Sequence, residues 1–282
     1  MNNKIAAQLS LVFVTIIWGL TFVLVKQSLN DAPPFYFATL RFGLATILAI
    51  TVVNRKIFQI KKNEFIGGII CGFFLFMGYS FQNFGLMNTT ASKSAFITSV
   101  SVLLVPIILI TFNLQQVKWR IWIAVIMATL GLYLLILPGE GELNLGDILT
   151  AGCALSFALH IIAQDIYIKK EVHLLHFFCV QLGFVTLISF INAIIFEPSA
   201  IIWSNRLFAA IMITGVLATF FAFLLMIWAQ KILNPSETAI IFSVEPVAAA
   251  LFAMAFGGEV LGLFGWLGGG LICLAVVYGE FG

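Results

Sequence analysis

Thr90-Ala-Ser-Lys-Ser-Ala95 opens one apolar run in the first half of the chain, and Asn234-Pro-Ser-Glu-Thr-Ala239 opens another in the second half, 144 residues later. Two further matches keep the same order. Thr21-Phe22 pairs with Ser156-Phe157 at a spacing of 135, and Arg41-Phe-Gly-Leu-Ala-Thr46 pairs with Gln181-Leu-Gly-Phe-Val-Thr186 at 140. A spacing that drifts slowly while order is kept is the mark of a duplicated chain with small loop changes. The expected units are residues 1–140 and 141–282. Between charges and turn formers the chain holds apolar runs at about 6–29, 34–53, 65–86, 93–113 and 120–137, then 145–168, 173–195, 207–229, 236–257 and 262–280. Each run is near the length of about 20 residues that a membrane helix needs. Five runs per half is an odd number, so the second half must enter the membrane with opposite orientation. That plan places a substrate site near the midplane, between the halves.

Composition excludes the alternatives. Of 282 residues, 62% are hydrophobic and 9% charged, against about 25% charged in soluble chains. So few charges cannot cover a water-facing surface, and the partner solvent is the lipid bilayer. Ten spans leave about 80 residues for connections, too few for a soluble catalytic domain. A net charge of +2 without a long basic run leaves no footprint for nucleic acid. The four cysteines lie far apart in apolar runs and read as small hydrophobes, with no metal spacing. No Gly-x-x-x-x-Gly-Lys-Ser/Thr loop occurs, so ATP is not the driver and no cofactor is expected. The run after Lys4 lacks a small-residue cleavage site and reads as a retained first helix.

With the N-terminus in the cytoplasm, 10 of the 14 basic residues fall at inner ends: Lys4, Arg55, Lys56, Lys61, Lys62, Lys118, Arg120, Lys169, Lys170 and Lys231. Basic residues near helix ends set orientation, so both termini are expected inside and the protein is expected as a multi-pass protein of the inner (plasma) membrane. The loop with Glu140, Glu142 and Asp147 would face outward. Trp119, Trp122, Trp203 and Trp266 lie at expected interfaces, as aromatic belts do.

The residues also resemble a known family. Trp18-Gly19-x-Thr21-Phe22 with Lys26, then Pro34 and Leu40-Arg41-Phe42 with Ala45, are similar to the opening of an EamA-type member of the drug/metabolite transporter superfamily. Ala91-Ser-Lys-Ser-Ala-Phe96 with Pro106 is similar to its fourth helix, and Glu245-Pro246 followed by Gly258-Glu259 to its ninth. The resemblance covers essentially the whole chain. It implies an all-α integral membrane protein of ten helices in two inverted five-helix repeats, carrying small metabolites and often exporting amino acids or related compounds. The second half departs from the pattern: Cys153-Ala154 replaces Trp-Gly, and Gln181 stands in the place of Arg41.

Lipid-facing positions should be uniformly apolar, so polar stripes at helical spacing mark a cavity or a helix contact. Ser156, His160 and Gln164 share a face of the sixth run; Ser94, Thr98 and Ser101 share one of the fourth. Tyr79, Gln82 and Asn83 lie on the third, Thr238, Phe242 and Glu245 on the ninth, Trp18, Phe22 and Lys26 on the first, and Trp228 and Gln230 on the eighth. Candidate substrate contacts are Trp18, Phe22, Tyr79, Asn83, Thr98, Ser156, His160, Gln164, Trp228 and Phe242. Hydroxyls can instead bond back to their own helix, and the aromatic residues can be plain packing. A carboxylate at the bilayer centre needs a compensating reason. Glu245, just before a proline that frees a backbone carbonyl, is therefore the candidate proton or cation group, with pairing to Arg41 or His160 as the structural alternative. His160 could accompany a proton cycle. Arg41 is too deep to snorkel and is expected to pair with a carboxylate or carbonyls, whereas Lys26 and Lys93 are expected to reach headgroups. Gly68-x-x-x-Gly72 permits close helix contact. Arg41, Pro106, Pro246, Gly68 and Gly72 are taken as structural. The fifth and tenth runs, nearly free of polar groups, belong at the periphery or in a dimer contact, so a monomer or a homodimer is expected.

The function this supports is a secondary carrier working by alternating access, driven by a proton gradient or by the substrate gradient alone. A passive facilitator or a lipid or drug flippase would keep the fold and change the cargo. An intramembrane enzyme would need clustered metal ligands or a nucleophile, and His173-x-x-His176 is the nearest approach.

Overall fold

The computed structural model describes residues 3–54, 59–136, 144–170, 172–197, 201–258, 260 and 262–281. Among them the chain is helical, without strands: α1 (Asn3–Ser28), α2 (Pro34–Val53), α3 (Lys62–Leu86), α4 (Ala91–Thr111), α5 (Trp119–Ile136), α6 (Leu145–Ile168), α7 (Leu174–Phe196), α8 (Asn205–Gln230), α9 (Pro235–Phe256) and α10 (Leu263–Phe281). Eight of them are long and apolar enough to cross a membrane; α5 and α10 carry the shorter apolar stretches Trp119–Leu134 and Leu263–Gly279. Arg55, Lys56, Glu140, Glu142, Glu259 and the expected boundary at 140/141 lie outside the described residues.

The starts of the helices follow from local chemistry. Asn234 and Glu237 close a capping box on α9, each side chain accepting from the other's backbone N–H, at 2.9 and 3.1 Å. Thr90 caps α4 by accepting from Lys93 N–H. Pro33-Pro34 leaves α2 with no cap of its own, and Glu197, from beyond the end of α7, supplies one by accepting from Phe35 and Tyr36 N–H at 2.9–3.0 Å.

Two of the expected runs are not continuous. α4 divides at Val100 into Ala91–Ser99 and Ser101–Thr111. α9 divides at Ser243-Val244, two residues before the proline expected to kink it, and Pro246 sits in the first turn of the following segment, where no N–H partner is required. The breaks are equivalent bond for bond. Val100 N–H donates to Ile97 O while Leu103 and Leu104 return to Val100 O; Val244 N–H donates to Ile241 O while Val247 and Ala248 return to Val244 O. Every atom pair is displaced by the same 144 residues that separate the two hexamers.

Packing repeats this relation. α3 lies on α6 and α7 as α8 lies on α1 and α2; α4 lies on α6 as α9 lies on α1; and α2 with α7, and α5 with α10, pair with one another. Between α2 and α7 the repeat partners Thr46 and Thr186 meet each other, their hydroxyl oxygens 2.9 Å apart. A residue that touches its own equivalent lies on a two-fold axis, so the pseudo-symmetry axis passes between them. Close approach elsewhere relies on missing side chains: a Cβ on Gly68 would fall 2.6 Å from Val180 Cβ on α7, and one on Gly72 would fall 3.0 Å from Phe184 Cβ.

Ion pairs tie both ends of the bundle. Lys4 at the start of α1 meets Glu237 at the start of α9 at 2.8 Å, and Lys93 at the start of α4 meets Asp147 at the start of α6, also at 2.8 Å but far more buried. These two bridges join equivalent helices with the charges exchanged.

Candidate functional site

Between the two helix breaks lies a cavity of about 40 Å³. At roughly 10–15 Å³ per water centre it has room for about three waters. Its walls come from α1, α3, α4, α6, α8 and α9, three helices from each half: Trp18 and Thr21; Tyr79 and Gln82; Thr98, Ser99 and Ser101; Phe157, His160 and Ile161; Phe223 and Met226; Phe242 and Glu245. Irregular backbone at membrane depth is tolerated where it lines such a space, which accounts for the breaks facing it.

Aromatic rings form most of the wall. Trp18 packs against Phe223 and Phe242 with centroids 5.2 and 5.1 Å apart, and Tyr79 meets Phe157 edge-on at 5.3 Å. A π-helical stretch of α8, Ile213–Phe221, sets two of these rings. Its Ala218 carbonyl accepts from Trp18 Nε1–H at 2.8 Å, and its Thr219 hydroxyl accepts from Arg41 Nε–H at 2.7 Å. Arg41 then donates to the Tyr79 hydroxyl at 3.1 Å and lies 4.4 Å over the Tyr79 ring. Arg41 is fully buried, and its expected carboxylate or carbonyl partner is replaced by two hydroxyls and an aromatic face.

Glu245 occupies the first turn of the second segment of α9, where the helix N-terminus favours negative charge. Among the described residues its carboxylate has no hydrogen bond and no ion pair within 4 Å. Arg41 is within electrostatic reach but is committed to Thr219 and Tyr79. His160 Nε2 lies 3.0 Å from Gln181 Nε2, an amide that donates to the imidazole lone pair when the ring proton is on Nδ1. Neither proposed structural partner of Glu245 touches it.

The remaining candidates lie off the cavity. Phe22 is packed with Phe37 and Val25 in a separate apolar cluster. Asn83 Nδ2 donates to Pro34 O at 3.3 Å, and Ser156 bonds back to Gly152 O in its own helix. Gln164 joins Gln230 at one end of the bundle, and Trp228 is 37% exposed on its outer surface. Pro106 is buried within the second segment of α4. Lys26 and Lys93 are engaged by protein partners: Lys26 donates to Thr89 O, and Lys93 binds Asp147, whose other oxygen accepts from Thr89 Oγ1 at 2.7 Å. The His173 and His176 rings lie with centroids 4.3 Å apart and planes tilted by 36°, and His176 Nδ1 meets Glu64 at 3.1 Å. Of the lining residues absent from the sequence reading, Phe223, Met226 and Ile161 carry no polar signal, since an apolar side chain facing a cavity reads like one facing lipid. Ser99 carried one, standing beside Thr98 and Ser101, but off their stripe.

A sequence model described as the EamA-like transporter family matches the chain twice, at residues 5–137 and 144–278. The chain belongs to the EamA-like transporter family. Its two matched segments coincide with the two halves related by packing. An uncharacterized transporter of Archaeoglobus fulgidus is 34% identical over 98% of this EamA-like chain and 86% of its own length, and the uncharacterized transporter YoaV of Bacillus subtilis is 27% identical over 98% and 97%. A probable amino-acid metabolite efflux pump of Escherichia coli is 30% identical over 51% of this chain and 48% of its own. A protein crystal structure superposes with a TM-score of 0.77 at 18% identity, covering 97% of this chain and 96% of that one, and shares the fold. The EamA-like chain is thus a multi-pass membrane transporter of small molecules.

Proposed function

We propose that this EamA-like protein is a secondary carrier exporting amino acids or related amine-bearing metabolites across the inner (plasma) membrane by alternating access, with Glu245 exchanging a proton for cargo. All ten helices span the bilayer in this reading, with both termini in the cytoplasm. The basic residues Lys4, Lys61, Lys62, Lys118, Arg120, Lys169, Lys170 and Lys231 stand at helix ends on that side. The carrying observation is the Glu245 carboxylate, without a direct partner, in a cavity between two equivalent helix breaks. Such a group holds either a proton or a cationic nitrogen. Because the two compete for one carboxylate, each lowers the affinity of the other, and that linkage couples their gradients. The efflux-pump name of one relative supports the cargo class. Rocking of the halves about the Thr46–Thr186 axis would expose the cavity to each side in turn.

The test is counterflow and pH-gradient-driven uptake of labelled amino acids and amines in proteoliposomes, comparing wild type with Glu245→Gln. Wild type is expected to accumulate cargo when the gradient is imposed, and Glu245→Gln to lose that accumulation. Retention of gradient-driven accumulation by Glu245→Gln, with an unchanged pH profile, overturns the role of Glu245. Exchange without accumulation in wild type makes the protein a facilitator.

A further inference from the structure

The cavity walls carry a chemical preference beyond transport as such. Taking the cavity as the cargo site, as proposed above, we infer that Trp18, Tyr79, Phe157, Phe223 and Phe242 with Glu245 form a cage for an ammonium head, selecting amines that lack a carboxylate over zwitterionic amino acids.

Aromatic faces carry negative electrostatic potential and attract a desolvated cation within about 6 Å. Here rings from α1, α3, α6, α8 and α9 converge on one space, linked by centroid distances of 5.1–6.3 Å from Trp18 to Phe242 and Phe223 and from Tyr79 to Phe157 and Phe223. Among the described residues Glu245 is the one formal charge that lines the cavity. No lysine or arginine among the described residues lines the cavity, and His160 is held by Gln181 in a contact suited to a neutral ring. Arg41 lies over the Tyr79 ring with its N–H groups on Thr219 and Tyr79. A substrate ammonium therefore finds a carboxylate and π faces. A substrate carboxylate finds the same carboxylate and rings, with only neutral donors beside them, the Gln82 amide and the hydroxyls of Thr98 and Ser101, since the Ser99 hydroxyl already donates to Ala95 O; burying an anion without a cationic partner is costly.

The experiment uses the purified full chain and four probes that share one phenyl ring: phenethylamine, its N-trimethyl quaternary derivative, L-phenylalanine and 3-phenylpropionate. Calorimetry at pH 7 measures binding, and counterflow in proteoliposomes measures exchange. Both amines are expected to bind, the quaternary one without any N–H to donate, with phenylalanine at least about tenfold weaker and phenylpropionate silent. Trp18→Leu should weaken amine binding about tenfold, while Trp18→Phe, which loses the same Ala218 hydrogen bond but keeps a π face, should stay within about threefold. Phenylalanine binding as tightly as phenethylamine overturns the cage and places the carboxylate at the α4 break. So do equal effects of the two Trp18 variants, or failure of wild type to bind either amine. Exchange of phenylalanine alone would overturn the cage and leave the carrier reading standing, whereas amine binding without exchange would do the reverse. The wild-type comparison stands even if a Trp18 variant fails to fold.

Discussion

At the scale of single residues, the buried charges off the cavity have hydrogen-bonded partners among the described residues, and Glu245 inside it has none. Asp31, in the turn after α1, accepts from Arg206 Nε and Nη2 at 2.9 and 2.6 Å and from Ser204 Oγ at 2.7 Å. The Arg206 bonds first, then Ser204, hold its carboxyl below the ordinary value of 3.8. A lowered folded-state pKa gives stability that is present above the unfolded value and lost as pH falls through the folded one. Thermal unfolding in detergent should therefore show wild type above Asp31→Asn at pH 7, with the gap closing below about pH 3.8; a gap that persists into acid counts against the pairing. Glu197 illustrates the opposite balance. Burial raises its carboxyl pKa despite the backbone N–H groups of Phe35 and Tyr36.

At the scale of elements, α1 and α9 are held at backbone distance. A Cβ on Gly19 would lie 2.6 Å from Ala248 Cβ and 2.7 Å from Ala249 N. No rotamer relieves a clash with backbone, so Gly19→Val must push α1 from the second segment of α9 and with it Trp18 from Phe242. A loss of about 1–3 kcal/mol is expected, read as a lowered Tm. Gly43→Ala is the control, because its Cβ would make an ordinary 3.6 Å contact with Thr186 Cγ2; equal losses in both variants would reject the argument. The helix breaks belong to this scale too. Three equivalent backbone bonds at 144-residue spacing tie them to the duplication, while the prolines are not equivalent: Pro106 lies inside its segment and Pro246 at the start of its own. The breaks are therefore a property of the repeat, not of proline alone.

Across the whole molecule, the two terminal ion pairs are equivalent in position and unequal in strength. Lys93–Asp147 is 9% and 1% exposed, Lys4–Glu237 43% and 16%. Removing one member of a buried pair strands the other and costs about 3–5 kcal/mol, whereas exposed pairs contribute about 0–1 kcal/mol. Lys93→Ala should thus lower Tm far more than Lys4→Ala. In a carrier whose halves rock, the first should also bias the bundle toward opening at the Lys93 end, read as increased labelling of cysteines introduced there. Equal thermal effects would mean that the two ends are equally held.

The sequence by itself determined the helical membrane class, the duplication, the approximate spans and the six helices that line the cavity. Composition, periodicity and repeat spacing are properties of the linear chain and need no contacts to be read. It also marked Trp18, Tyr79, Thr98, His160, Phe242 and Glu245, because polar or aromatic groups at membrane depth stand out against an apolar background. Only tertiary structure decided that Gln164 and Trp228 lie off the cavity, that Phe223 and Met226 belong to it, and that Arg41 rests on Tyr79 and Thr219 and leaves Glu245 free. Those outcomes depend on the rotation of each helix about its axis, which packing between distant segments sets and an apolar sequence leaves unspecified.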